Sequence, residues 1–407
     1  MIRVHTFRCH LSREQCDALN HESGQIYTRM LVWHYRIYRR TGHWFSPSEG
    51  EHFEDQIGGT VGLHSHSRDA AQQGFYAACK TAKAQKKAGM DAHYPHKRKW
   101  FRTTTWKNTG VSLSPDARVM SLKRARGLDY LPVVLPEHLH GLPLAAYRQM
   151  ELVYHQVGRQ YEWHLTIDDE IVPVPVAGTH SAAIDLGEIH PVAITDGRET
   201  VIICCRQLRS EQQYTVKRVA TIQSKQSKTV KGSRSWKRLQ RRKRLFLAKQ
   251  EQKIRDITHK VSCETVTWAT EHQVATLAIG DVRDIADGKR LNRQSQQKIG
   301  LWNHGQMRQY LTYKAQAKGI TVVLVDEHHT TKTCPIATCG QQHKPKGRVY
   351  RCPTCGFVGH RDGVGAVQIL SRHRHGKLSQ IRPPSDVKYR YPVLRGKRSR
   401  RDTAHVA

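Results

Sequence analysis

Apolar and polar positions alternate over the first ten residues, with Ile2, Val4 and Thr6 in phase, and this predicts a short strand. Cys16, Leu19, Ser23, Ile26, Met30, Trp33 and Ile37 then recur three and four apart, laying one stripe along a helix of several turns. Residues 42–68, rich in Gly, Ser and His, read as a loop. A second helix follows, with Ala71, Phe75, Ala78 and Ala82 inward and Lys80, Lys83, Lys86 and Lys87 outward. From 98 to 170 the period shortens to two: Met150, Leu152 and Tyr154 alternate with polar neighbours, and so do Tyr161, Trp163, Leu165 and Ile167. A small β-barrel is expected from 1–10 and 98–177, with a helical domain at 11–97 inserted into it and Val172–Gly178 as a linker.

The second half alternates strands and helices. Ala182–Leu186, Pro191–Thr195 and Thr200–Cys205 read as three strands in a meander, followed by a helical region at 209–272. Val274–Ile279 and Thr321–Val325 read as two further buried strands with a helix near 303–318 between them. A meander followed by strands alternating with helices is the order of an RNase H-like (RuvC-like) α/β core, here 178–370. The chain is thus expected to be a multidomain α+β protein. The polar, basic stretch 371–407, with Pro383-Pro384 and a cationic run at 395–401, reads as a disordered tail.

Charge changes the picture. Across 407 residues, 67 Lys and Arg face 34 Asp and Glu, leaving +33 with histidine neutral. Such an excess repels itself unless a polyanion neutralises it, so nucleic acid is the expected partner. No apolar run approaches the roughly 18 residues of a membrane span, so no membrane partner is expected. Ten cysteines, scattered except for four at 334–355, form no disulfide framework and fit a reducing cytoplasm, close to the nucleoid.

Those four carry the first chemical signal. Cys334-x4-Cys339 and Cys352-x2-Cys355 make two knuckles of a zinc ribbon at 330–358, each delivering two soft donors. Gly340 and Gly356 give the backbone freedom after each knuckle. Four thiolates leave no open coordination position, so the site is structural; His343 and His360 are the alternative ligands. Carboxylates carry the second signal. A metal-dependent nuclease gathers acidic side chains from distant segments to hold two divalent cations roughly 3.5–4 Å apart. Asp185 interrupts a strand of small and apolar residues, and Gly187 follows closely. Asp362, in His360-Arg361-Asp362-Gly363, opens a predicted helix, where a carboxylate also serves as a cap. Two basic segments complete the picture. The first contains Lys97, Arg98, Lys99 and Arg102 beside Trp100 and Phe101, a mixture suited to single strands. The second, 231–260, contains Arg238, Arg241, Arg242 and Arg244 above an apolar stripe of Trp236, Leu239 and Phe246.

Ile184-Asp185-Leu186-Gly187, Thr331-Lys332-Thr333-Cys334, and Cys352-Pro353-Thr354-Cys355-Gly356 followed by His360-Arg361-Asp362 resemble the TnpB-type nucleases. These are transposon-encoded, RNA-guided relatives of the miniature type V CRISPR effectors. The resemblance covers nearly the whole chain in domain order, and its C-terminal half is the specific part. It implies an RNA-guided DNA endonuclease, with a guide RNA derived from the transposon end and target double-stranded DNA bearing a short adjacent motif. It also implies Mg2+ at a RuvC-like site, hard carboxylate oxygens suiting that ion, and Zn2+ in the ribbon. One position departs from the family pattern. The middle catalytic Glu normally ends the fourth core strand, where this chain has Gly280-Asp281-Val282. Strand alternation turns Asp281 to the opposite face. Glu327, closing the next strand, is the expected replacement, giving a catalytic set of Asp185, Glu327 and Asp362. The rival expectations are a nuclease-inactive RNA-guided DNA-binding repressor and a guide-independent transposase.

Overall fold

The computed structural model describes residues 2–59, 62–156, 158–168, 170, 172–283, 292–345 and 347–392. The cationic run at 395–401 lies outside the described residues. The chain divides into two compact units, Met1–Val172 and Pro173–Ala407.

The first unit opens with β1 (Ile2–Arg8) and three helices, α1 (Arg13–Thr41), α2 (Pro47–Ile57) and α3 (Ser65–Lys87). Strands β2 (Thr104–Lys107), β3 (Val111–Leu113), β4 (Val119–Leu122), β5 (Leu131–Val134), β6 (Tyr147–His155) and β7 (Gln160–Asp168) follow. The helix stripe buries Cys16, Leu19, Ile26 and Met30 on one side of α1. Helix α2 lies inside the segment expected to be a loop. Its signal is at the cap: Ser46 accepts from the Glu49 N–H while the Glu49 side chain accepts from the Ser46 N–H, and Pro47 fills the first turn. With few apolar residues, the helix shows no stripe for periodicity to find.

The expected barrel is corrected. The described strands form an open antiparallel sheet in the order β1-β7-β6-β2 and a separate sheet β3-β4-β5, with no closure among the described residues. The strands between 104 and 134 are three or four residues long, and the segment from there to β6 is broken by Pro136, Pro143 and two 3-10 turns. Both sheets nevertheless share one core, where Trp106 and Trp163 meet edge to face at 5.9 Å. Ile2 and Val4 face outward, so the phase expected for β1 is reversed.

The second unit contains β8 (Ser181–Asp185), β9 (Val192–Thr195), β10 (Thr200–Ile203), α4 (Arg206–Ser227), α5 (Arg234–Glu271) and β11 (Thr276–Asp281). It continues with α6 (Arg293–Leu301), α7 (His304–Gln316), β12 (Thr321–Asp326), β13 (Val349–Arg351), β14 (Val358–His360), α8 (Arg361–His375) and β15 (Val387–Arg390). The sheet order is β12-β11-β8-β9-β10-β15: β8, β9 and β10 form the antiparallel meander, and β11 and β12 add in parallel. Alternation sorts the faces. Ala182, Ile184 and Ile279 pack with Val261, Trp268 and Leu311 of α5 and α7. Ala183 and Ala278 pack with Ile369 and Leu370 of α8. The disordered tail expected from 371 is also corrected for its described part. Helix α8 runs to His375, and β15 pairs in parallel with β10. Lys388 and Arg390 reach Glu199, Glu264 and Glu271, so the cationic strand is neutralised at the sheet edge.

Candidate active site and four-cysteine ribbon

Asp185 ends β8 on the α8 side of the sheet and is 8% exposed. Its carboxylate reaches the helix because residue 365 has no side chain; a Cβ there would collide with Asp185 Oδ2. Asp362 sits in the first turn of α8, also 8% exposed, where unpaired backbone N–H groups favour an anion. Arg348, just before β13, donates through Nη1 to both Asp362 oxygens at 2.9 and 2.7 Å.

Glu327 follows β12 at the turn where Thr330 donates its N–H and hydroxyl back to the Glu327 carbonyl. Its neighbour Asp326 is drawn outward by Arg372 at 2.7 Å. A Cβ built on Gly280 would lie 3.0 Å from Glu327 Oε2 and 2.9 Å from Ile369 Cδ1. The carboxylate of Glu327 therefore occupies space beside Gly280 on the α8 face. Asp281 points the other way, held by Arg283 and, at 3.5 Å, by Arg308 of α7. Burial raises the Asp185 carboxyl well above its ordinary range, and the negative charges of Glu327 and Asp362 push it further; Arg361 and Arg348 oppose them. The structure thus brings Asp185, Glu327 and Asp362 into electrostatic reach of one another and leaves Asp281 out.

In the ribbon, Cys334 Sγ lies 3.5 Å from Cys355 Sγ and Cys339 Sγ lies 3.7 Å from Cys352 Sγ. Tetrahedral zinc with Zn–S bonds of about 2.3 Å separates its sulfurs by roughly 3.8 Å, so four thiolates at this spacing fit the ion. Antiparallel β13 and β14 carry the second knuckle, and Gly340 and Gly356 adopt φ of 54° and 73°. His343 turns to the Tyr350 hydroxyl at 3.3 Å rather than to the sulfurs. His360 gathers instead with His190 and Asp362, their donor atoms all within 4.8 Å of one another. Neither Arg348 nor His190 carries a sequence signal: each lies outside regular structure, and only the fold brings it to Asp362. Asp185, Glu327 and Asp362 are not among the groups of described residues whose donor atoms all lie within 4.8 Å of one another.

The basic positions separate into two kinds. Arg238, Arg241 and Arg242 are exposed along α5 and Arg244 is half-buried; among the described residues none of the four makes an ion pair. Lys97 and Arg98 are exposed in an irregular segment. Arg102 is half-buried with its guanidinium 5.8 Å from the centre of the Tyr27 ring, and Lys99, though exposed, lays its ammonium 4.7 Å from the same centre. Arg102 also donates to the Ala70 carbonyl at 3.4 Å.

The sheet order and the ribbon set ahead of α8 define an RNase H-like α/β core with an inserted four-cysteine module. A family model described as "Probable transposase" matches residues 161–286, and one described as "Cas12f1-like, TNB domain" matches 304–369. The chain is similar to the TnpB-like protein MJ0751 of Methanocaldococcus jannaschii, 26% identical over 31% of this chain and 45% of that protein. It is also similar to the TnpB-like protein ORF457 of Acidianus two-tailed virus, 26% identical over 51% of this chain and 45% of that one. The chain thus spans about half the length of the curated relatives it matches. Among solved structures, the Cas12f1–sgRNA–target DNA complex superposes with a TM-score of 0.60 at 13% identity, covering 88% of this chain and 83% of that one. The mini-RNA-guided endonuclease CRISPR-Cas_phi3 superposes with 0.54 at 9%, covering 94% of each. The TnpB-type resemblance carried by the motifs is borne out, and the mixed α/β fold is similar to that of the miniature Cas12 effectors. No described helix is long and apolar enough to cross a membrane.

Proposed function

We propose that the chain is an RNA-guided DNA endonuclease that hydrolyses phosphodiester bonds at Asp185, Glu327 and Asp362. The observation that carries this reading is the Glu327 carboxylate beside Gly280, on the same face as Asp185 and Asp362. Asp185 and Asp362, both buried, and Glu327, whose charge also presses on Asp185, form a donor set of hard oxygens that magnesium suits. Magnesium there would supply an activated water and charge stabilisation for the departing oxygen. Asp185 and Asp362 hold their places through the gap at Gly365 and the first turn of α8. Arg348 neutralises Asp362 and would offer a cation to a phosphate held at these carboxylates. The exposed arginines of α5 would track phosphates of a guide–target heteroduplex whose sequence is read by base pairing. Zinc in the ribbon would fix the segment that carries Arg348.

The test is to express the chain with its flanking DNA, purify it and sequence the bound RNA. A discrete transcript running past the reading frame, with magnesium-dependent cutting of a matched target, is the expected result. A discrete RNA without cutting would establish the repressor instead. Strand-transfer products formed without RNA would establish the transposase, the reading that the name of the 161–286 family model favours.

A further inference from the structure

We propose that His155, Glu162 and His164 form a second site for a borderline divalent cation, zinc foremost, on the outer face of the N-terminal sheet. Strands β6 and β7 pair with Val153 opposite Glu162, Glu151 opposite His164, and His155 opposite Gln160. Alternation therefore puts 155, 162 and 164 on one face, while Leu152, Trp163 and Leu165 point into the core. On that face two imidazoles converge on a single carboxylate oxygen. His155 Nε2 lies 3.0 Å from Glu162 Oε2, and His164 Nε2 lies 3.9 Å from the same atom. All three donor atoms fall within 4.8 Å of one another. Both Nε2 atoms are shut off from solvent although the side chains are 36% and 23% exposed.

Zinc binds imidazole nitrogen at about 2.0–2.1 Å and carboxylate oxygen at about 2.0–2.2 Å, which separates tetrahedral neighbours by roughly 3.3–3.4 Å. The observed 3.0 and 3.9 Å bracket that spacing, and movement of the His164 ring by about half an ångström would bring its contact to it. Two imidazoles with one carboxylate select a borderline cation over magnesium. An imidazole N–H donated to the Glu162 carboxylate is the competing explanation; it accounts for the 3.0 Å contact but not for the 3.9 Å one, which is too long for a hydrogen bond. Arg8, opposite Glu162 on β1, is the competing cation. The cluster straddles the β6–β7 turn, so a bound ion would pin the register of β7, which pairs with both β1 and β6. The fourth position is left to water.

The test uses the full chain, stripped by chelator and titrated with Zn2+ against a chromophoric competitor. With excess Mg2+ present to hold the carboxylate site, wild type should take up two equivalents, one on the cysteines and one here. Glu162→Gln and His155→Gln, both on the outer face and close in size, should take up one, with unchanged far-ultraviolet circular dichroism. Co2+ distinguishes the sites: the cysteines give a thiolate charge-transfer band, and the His/Glu site gives ligand-field bands without one. Only the latter should vanish in the variants, and the second equivalent should raise Tm in wild type alone. A single thiolate-type Co2+ signal in wild type, or a second equivalent surviving in both variants, overturns the proposal. None of these readouts depends on nuclease activity.

Discussion

The Glu327 carboxylate lies where the side chain of residue 280 would begin: a Cβ on Gly280 would stand 3.0 Å from Glu327 Oε2. The two positions are alternatives, since one carboxylate fills the space and the other residue must be small. Glu327→Ala should therefore reduce cleavage by at least about 10²–10³-fold, while Asp281→Ala, which removes only the ion pairs with Arg283 and Arg308, should retain most of it. Gly280→Glu alone should inactivate by crowding Glu327 and Ile369, and Gly280→Glu with Glu327→Gly should recover part of the lost rate. Single-turnover cleavage of a matched target checks all four. The reverse ranking of Glu327 and Asp281 would reassign the middle carboxylate.

Asp185 gives the metal-free chain a pH dependence of defined sign. Its folded pKa is raised by burial and by its two acidic neighbours, so folding favours the protonated form. That contribution is complete below the ordinary value near 3.9 and is lost as pH rises through the raised one. Without divalent ions, Asp185→Asn should therefore exceed wild type in Tm by a margin that widens over this window. Magnesium should close the gap from the wild-type side, and more so at higher pH, because the cation replaces the proton. A margin that is flat with pH would mean that the carboxylate is not held protonated.

The α/β core was legible because buried strands read as short apolar runs, and the glycines and prolines between them mark their ends. Alternation alone placed Asp281 on the far side of its strand from Asp185. Glu327 was visible only against a family pattern, since nothing local separates it from Asp326. What escaped was long-range or balanced by charge. Helix α2 announces itself by its cap rather than a stripe, and β15 is a cationic strand neutralised by acids more than a hundred residues earlier. Arg348 and His190 meet Asp362 only through folding. Arg102 shows the limit of reading charge from sequence, because a guanidinium packed over Tyr27 looks the same in the chain as an exposed one.

The ribbon should lose its metal on acidification. Cys334 is raised, mainly by burial. Cys339, against a backbone hydrogen bond that lowers it, is raised as well by burial and its sulfur neighbours. Cys352, despite some burial, is lowered to about 6 by backbone N–H groups at Cys355 and Thr354. Zinc must then displace protons from the raised thiols, and its apparent affinity should fall about tenfold per pH unit for each proton released. A zinc-responsive dye across pH 6 to 8 measures this slope. A slope of zero would mean that the thiols are already ionised.

Glu54 is a test of the N-terminal unit alone. Its side chain is fully buried between α1 and α3, with Arg29 at 2.6 Å on one oxygen, Arg68 at 2.8 Å on the other, and Gln72 at 2.9 Å. Removing the anion leaves two guanidiniums facing each other, so Glu54→Ala should destabilise by about 3 kcal/mol. Glu54→Gln, which keeps one acceptor oxygen but loses the charge and turns an NH2 donor toward the donors on the other side, should fall between. Urea unfolding followed by the tryptophans of this unit measures both. Equal stability of all three proteins would show that the arginines find water instead.

The two groups of cations should fail differently. Arg238, Arg241 and Arg242 stand exposed on α5 without ion-pair partners among the described residues, as phosphate-binding side chains would. Replacing each by alanine should weaken nucleic-acid binding without regard to sequence and reduce the slope of log K against log salt by about 0.7–0.9 for each phosphate no longer neutralised. Stability should change little, because an exposed helical arginine packs against little. Arg102→Ala should do the opposite. Its guanidinium is enclosed by Tyr27 and the Ala70 carbonyl, and Gly74 has no side chain where it lies. Its removal opens a gap in the helical packing and should lower Tm while leaving the salt slope unchanged. A salt slope that drops for Arg102 and holds for the α5 arginines would move the phosphate path to the N-terminal unit.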